Sequence, residues 1–248
     1  MGQQSRLTIV APGFEIMTPE DWIRRMPKFL ERCGRVCYKS EGRIGEGGAE
    51  RFIRGIIRSG HESVIEHCSI TVKIIGDRSM SHQLVRHRIG AYSQESQRYC
   101  DYGKLGFQVI CPPSIANLPL GKYFRSQELV AERRPSYWIG PDYKGCGSDD
   151  KARWWLDSIW RAYQSYTALR RADVPPEDAR SVLPNATKTE VVTTYNLRQW
   201  RHVFVERALN KHAQWQIRGI LGAICQRFAK LLPAVFGDLA ERLPSLEE

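Results

Sequence analysis

Several common chemistries are missing from this 248-residue chain. No apolar run approaches the roughly 20 residues that a bilayer span needs. The N-terminus lacks the charged-then-apolar pattern of a secretion signal, so a cytoplasmic protein without membrane contact is expected. There is no P-loop, no paired-carboxylate motif and no legible nucleophile–base arrangement. Residues 42–48 spell G-x-x-G-x-G-G but follow no predicted strand, so they read as a flexible loop and not as a dinucleotide fingerprint. The seven cysteines (33, 37, 68, 100, 111, 146, 225) are odd in number and scattered. Cys33 and Cys37 lie one helical turn apart and read as two small buried residues. No second Cys or His pair stands at zinc-ligand spacing, and no metal site is expected. His61 and His67 are six apart, not the four of a helical metalloprotease motif. Without repeats, low-complexity tails or linkers, residues 1–248 are expected to form a single domain.

What the chain has is basic charge and a pattern of mixed elements. Lys and Arg outnumber Asp and Glu by 37 to 27, a formal charge of +10. That excess fits nucleic acid or a site for several small anions, and does not choose between them. Hydrophobic residues at 42% are enough for a core.

Thr18 with Pro19, Glu20 and Asp21 reads as an N-cap and first helical turn. Pro27 should stop that helix and start the next, whose stripe would be Phe29, Leu30, Cys33, Val36 and Cys37. Phe52, Ile53, Ile56 and Ile57 mark a helix ending near Gly60. Ile70, Val72 and Ile74 alternate as a strand, as do Phe107, Val109 and Cys111; Lys188 to Tyr195 is a β-branched third. Asp77 should cap a helix running to Arg88, with Gly90 just past its end and Ser93 to Arg98 as a loop.

Residues 114–147 show little periodicity and interleave Arg125, Arg133 and Arg134 with Tyr123, Tyr137, Trp138 and Tyr143. Residues 114–150 are taken as an insertion packed on the same domain, although such a set could also stack on bases. Ser148 with Asp149 and Asp150 should cap a long helix striped with Ala152, Trp155, Ile159, Ala162, Tyr163, Tyr166 and Leu169. Val174 to Asp178 should start a short helix carrying Arg180, limited by Pro184. Asn196 can cap a helix with Arg198 and His202 on one face and Arg207 about 140° from His202. Ile217, Ile220, Leu221, Ile224 and Phe228 form an amphipathic seam for the core or a partner subunit. The fold class is therefore α+β: a small mixed or antiparallel sheet, several packed helices and an insertion.

The stretch His82 to Tyr99 holds Arg86, Arg88 and Arg98 around His87, Ser93, Gln94, Ser96 and Gln97. By composition it reads first as a solvated basic face. An anionic ligand is the other reading, since arginine forks match phosphate oxygens. Its arginines, histidines and amides suit a site that binds anions while a cofactor makes the bonds.

The order Arg86-His87-Arg88, seven residues, then Ser96 resembles the signature of the flavin-dependent thymidylate synthases. So do Gln83, Arg98-Tyr99, Gly60-His61-Glu62-Ser63 with Glu66-His67, Ala179-Arg180 with Leu183-Pro184, Asn196-Leu197-Arg198, Arg207 and His212-Ala213-Gln214-Trp215. The resemblance spans about residues 28–236 outside the insertion. It implies methylation of dUMP to dTMP, with methylenetetrahydrofolate as carbon donor and FAD, reduced by NADPH, as hydride donor. It implies FAD contacts from Ser63, Arg86, His87, Arg88, Gln94, Asn196, Arg198 and His202. The implied dUMP contacts are Gln83, Leu84, Val85, Arg86, Gln94, Glu95, Ser96, Gln97, Arg98, Arg180 and Arg207. Arg207 would also favour ionisation of the uracil N3–H; His61 and His212 are further candidates, and a homotetramer is implied.

Two departures from the family pattern stand out. One residue more than in many relatives separates Arg207 from His212, so a bulge or break must absorb about 100° of helix. His202 stands where many relatives have Asn. The alternative to an enzyme is a basic nucleic-acid-binding protein without catalysis.

Overall fold

A computed structural model describes residues 7–45, 47–115 and 150–244, with the backbone of 121–125 and 137–139. They fall into two compact units, one within Met1–Pro12, Gly76–Ser79 and Gln94–Thr189, the other within Gly13–Ile75, Met80–Ser93 and Glu190–Glu248. Among the described residues no helix is long and apolar enough to cross a membrane.

In the first unit, β1 (Leu7–Ile9) runs parallel to β5 (Phe107–Val109) and antiparallel to β6 (Gly121–Arg125), which pairs with β7 (Tyr137–Ile139). The segment expected to be an unpatterned insertion thus contributes two strands to the sheet order β5-β1-β6-β7. Short strands of three to five residues hold too few alternations to declare themselves. Arg133, Arg134, Tyr143 and the expected cap at Ser148 and Asp149 lie outside the described residues.

The 22-residue helix α5 (Asp150–Arg171) buries Ala152, Leu156, Ile159, Trp160, Tyr163 and Tyr166 against Leu7, Ile9 and Phe107. Phe107 stacks on Tyr163 with centroids 5.2 Å apart. Trp155, Ala162 and Leu169 of the expected stripe are only half-buried. Asp101 begins α4 (Tyr102–Leu105), accepting from the Gly103 N–H at 2.9 Å. The same carboxylate takes Arg170 at 3.0 Å. The short α6 (Pro176–Ala179) and the 3-10 turn Arg180–Val182 follow as expected.

The second unit is built on the sheet β2-β3-β8-β4: β2 (Gly13–Ile16), β3 (Ser69–Asp77), β8 (Lys188–Asn196) and β4 (Ala91–Gln94). Burial alternates along β8 and along β3 as far as Gly76, placing Ile70, Val72, Ile74, Val191 and Tyr195 inside. Helices α1 (Glu20–Arg35), α2 (Gly48–Arg58), α7 (Leu197–Val203), α8 (Trp215–Leu231) and α9 (Pro233–Ala240) supply the rest of that core. Trp200 is fully buried among Phe204 and Phe228, and its indole N–H donates to the Ile70 carbonyl at 3.0 Å. Ile217, Ile220, Leu221, Ile224 and Phe228 are all buried in this core.

Helix α1 corrects three expectations. It runs through Pro27 without a break. An internal proline costs about 3 kcal/mol. Ile23, Met26 and Leu30, each fully buried, offset that at about 1.5–3 kcal/mol apiece. The buried stripe is Ile23, Met26, Leu30 and Gly34, while Phe29, Val36 and Cys37 are exposed and Cys33 is half-buried. Thr18 does not cap the helix; its hydroxyl accepts from the Thr71 N–H at 2.8 Å, tying the helix entry to β3.

Candidate active site

Helix α3 (Arg78–Leu84) ends before the Arg86-His87-Arg88 triplet, which was expected in its last turn. After Val85, the Arg86 N–H turns back to the Gln83 carbonyl and the His87 N–H to the Leu84 carbonyl. These tighter i→i+3 bonds spread the triplet in space. Leu84 and His87 point inward, Gln83 and Val85 are half-buried, and Arg86 and Arg88 are exposed. Gly90 lacks the left-handed φ expected of a helix-ending glycine. It is needed for close approach instead, since a Cβ there would sit 2.3 Å from carbons of the Tyr195 ring.

Arg207 meets this turn from a π-helical stretch, Phe204–Ala208, where the Leu209 N–H reaches back to the Phe204 carbonyl. The helix ends at Ala208, and residues 209–212 form a bend and turn, so a break in the helix accommodates the Arg207–His212 spacing. The Arg207 Nε donates to His87 Nε2 at 3.1 Å, and Nη1 to Gln83 Oε1 at a longer 3.4 Å. Burial, then the Arg207 charge, pushes the His87 pKa down to about 4. The imidazole is therefore neutral at physiological pH. With Nε2 accepting, its proton sits on Nδ1. Among the described residues no carboxylate pairs with Arg207, Arg86 or Arg88.

Beside this group lies a pocket of about 620 Å³. Its walls include Asn196, Arg198 and His202 with apolar Ile89 and Val205. Asn196 caps α7, its side-chain oxygen accepting from the Gln199 N–H at 2.8 Å. His202 meets His87 edge-on, with ring centroids 5.9 Å apart. Arg198 bonds Glu66 at 2.6 Å, with Glu62 at 3.7 Å. Glu62 also holds Arg201, which binds Asp238 through its two terminal guanidinium nitrogens at 2.7 and 2.8 Å. Ser63 is exposed on the 3-10 turn Glu62–His67 that presents both glutamates. His61 precedes that turn, with Nδ1 at 3.1 Å from the Tyr38 hydroxyl. His212 is exposed, and its backbone N–H bonds Asn210; it does not line the pocket.

The remaining candidates belong to the other unit. Gln94 is in β4, not a loop, and donates to the Thr189 hydroxyl at 3.2 Å. Glu95 takes Lys188 at 3.1 Å and the Tyr102 hydroxyl at 2.9 Å, so its carboxylate already has two protein partners. Ser96 receives the Arg98 N–H on its hydroxyl at 3.3 Å. Gln97 is half-buried. Arg98 pairs with the Glu177 carboxylate at 2.9 Å, and Arg180 donates to the Glu177 carbonyl at 3.0 Å. Two candidate arginines thus converge on one residue that sequence reasoning did not single out. Glu177 and Arg98 are 79 positions apart, and only the fold pairs them. Of the candidate arginines, Arg98 and Arg198 already have protein carboxylate partners.

The donor set fits a dinucleotide cofactor: exposed Arg86 and Arg88 for phosphates, and Asn196 and His202 with apolar Ile89 and Val205 for a ring system.

Comparison with known proteins agrees with this reading. A 34% identical flavin-dependent thymidylate synthase from Mycobacteroides abscessus aligns over 94% of this chain and 89% of its own. Another from Geobacter sulfurreducens is 34% identical over 82% of this chain and 78% of its own. Among solved structures, a UMP/dUMP methylase from Streptomyces cacaoi bound with 5-Br dUMP shares the fold at TM-score 0.67 and 23% identity, covering 94% of this chain and 96% of that one. The family described as thymidylate synthase complementing protein matches residues 22–234, and the chain belongs to that family.

Proposed function

We propose that this chain is a flavin-dependent thymidylate synthase, a methyltransferase that converts dUMP to dTMP. Methylenetetrahydrofolate supplies the carbon, and FAD reduced by NADPH supplies the hydride when bound. The observation that carries the reading is Arg207, held by a neutral His87 and by Gln83 with no carboxylate paired to it among the described residues. The family name of its relatives supports the substrate and cofactor.

The chain's own residues then divide the work. Arg86 and Arg88, exposed and without acidic partners among the described residues, take cofactor phosphates. Asn196, Arg198 and His202 line the pocket that orients the rest of the cofactor. Ser63, Gln94 and His87 complete the proposed FAD contacts. Arg98 and Arg180, arranged about Glu177, hold the dUMP phosphate, with Ser96, Gln97 and Gln94 as neutral donors. Arg207 keeps its proton while a uracil N3–H ionises, and its positive charge stabilises the resulting anion. The neighbouring His87 is neutral, so it does not add a competing charge.

The whole chain serves as one cytoplasmic catalytic domain and assembles as a homotetramer whose FAD sites use more than one copy. Purified protein should be yellow, should bleach with NADPH and should convert dUMP to dTMP with methylenetetrahydrofolate. Protein that neither copurifies with FAD nor binds it under native conditions would sink the reading. A fully active monomer by light scattering would rule out the shared-site assembly.

A further inference from the structure

Past the helix end at Leu84 the chain turns through to Gly90, and carbonyls at and beyond that end need donors from outside the helix. Tyr92, on β4, supplies one. Its hydroxyl lies 2.5 Å from the His87 carbonyl oxygen and 3.1 Å from that of Leu84. A phenol has one proton, and these two oxygens share it. The Tyr195 hydroxyl, 2.5 Å from that of Tyr92, is then the donor of the tyrosine pair. Burial raises the pKa of both phenols, so both stay protonated through the neutral range. The rings meet edge-on at 5.8 Å. On the other side, Gly90 presses so closely on the Tyr195 ring that no Cβ fits between them. His87 is thus held at its backbone by Tyr92 and at its ring by Arg207.

We propose that Tyr92 is a positioning residue for Arg207. With Tyr195 behind it, Tyr92 fixes the backbone from which His87 Nε2 meets the guanidinium. This rests on the role given to Arg207 in thymidylate formation. Tyr92 touches neither substrate nor cofactor in this account. It acts through a chain of two contacts: phenol to carbonyl, then imidazole to guanidinium. No charge is added at any link, and the effect is purely geometric. A loosened His87 lets Arg207 sample orientations in which its forks miss the developing anion, which lowers turnover more than binding.

The test is Tyr92→Phe, which keeps the ring and its packing and removes only the hydroxyl. The rate constant kcat should fall about tenfold, the worth of one hydrogen bond in transition-state alignment. KM for dUMP should stay within about twofold, and the flavin spectrum should not change. In an Arg207→Ala background the same substitution should cause no further loss, because the residue it positions is gone. An equal loss in both backgrounds, or an unchanged kcat, would overturn the proposal. A second readout is independent of turnover. In protein labelled with ¹⁵N-histidine, His87 should appear neutral with its proton on Nδ1, and Tyr92→Phe should move its Nε2 resonance. An unmoved resonance overturns the proposal even if the wild-type protein makes no dTMP, whereas that failure with a moved resonance counts only against the role of Arg207.

Discussion

Replacing Arg207 by alanine should damage both chemistry and stability, for separable reasons. In the proposed role the guanidinium is a preorganised charge for the ionising pyrimidine, and removing one such donor costs about 10²-fold or more in kcat/KM. The same deletion strips the donor from His87 Nε2, which is 7% exposed. A buried acceptor left unmet costs about 1–3 kcal/mol. For a chain of this size each kcal/mol lowers Tm by about 2–4 °C, so Tm should fall by about 2–12 °C. Arg207→Lys separates the two effects. An ammonium can satisfy His87 or Gln83 but cannot span both, so it should recover part of the stability and little of the rate. The assay measures dTMP formation by chromatography at saturating NADPH and folate, with FAD content and Tm determined for each variant. A folded, flavin-loaded Arg207→Ala protein that retains more than about a tenth of wild-type kcat/KM would refute the role of Arg207.

Among the described residues Ser96 has no base beside it, and its hydroxyl accepts from the Arg98 N–H. Ser96→Ala should keep measurable dTMP formation, and a dUMP–Ser96 adduct caught by mass spectrometry would refute this adduct-free view. Arg180→Ala should weaken dUMP binding by about 1.5–3 kcal/mol, roughly 10- to 150-fold in Kd; unchanged affinity by calorimetry would remove Arg180 from the site. The Asp101 carboxyl is pushed up by burial but pulled further down by Arg170, so its folded pKa lies below its ordinary value. A depressed carboxylate contributes stability that is present above its unfolded pKa of about 3.9 and is lost as pH falls through the lower folded value. Asp101→Asn should therefore flatten the decline of Tm below about pH 4, and identical pH slopes in both proteins would contradict the pairing.

The chain's own pattern was enough to locate most of its regular elements. The alternation in β3 and β8 and the 3.6-residue stripes of α2 and α8 are local signals repeated often enough to read. The cap at Asn196 is equally local, since its partner Gln199 is three residues away. The bulge or break expected between Arg207 and His212 is met by the end of the helix at Ala208.

Tertiary structure decided the rest. Helix α1 survives Pro27 because burial on both sides of the proline outweighs its local cost, a sum no window of sequence contains. Strands β6 and β7 exist through pairing with β1 and with each other, not through a pattern of their own. The partners that define the candidate site are also far apart in sequence. Arg207 meets His87 across 120 positions, Arg98 meets Glu177 across 79 and Tyr92 meets Tyr195 across 103. Sequence names the residue types that can bind anions, because charge and hydrogen-bonding capacity belong to side chains. Which arginine is quenched by a carboxylate and which is left poised beside a neutral histidine depends on distances that only folding sets.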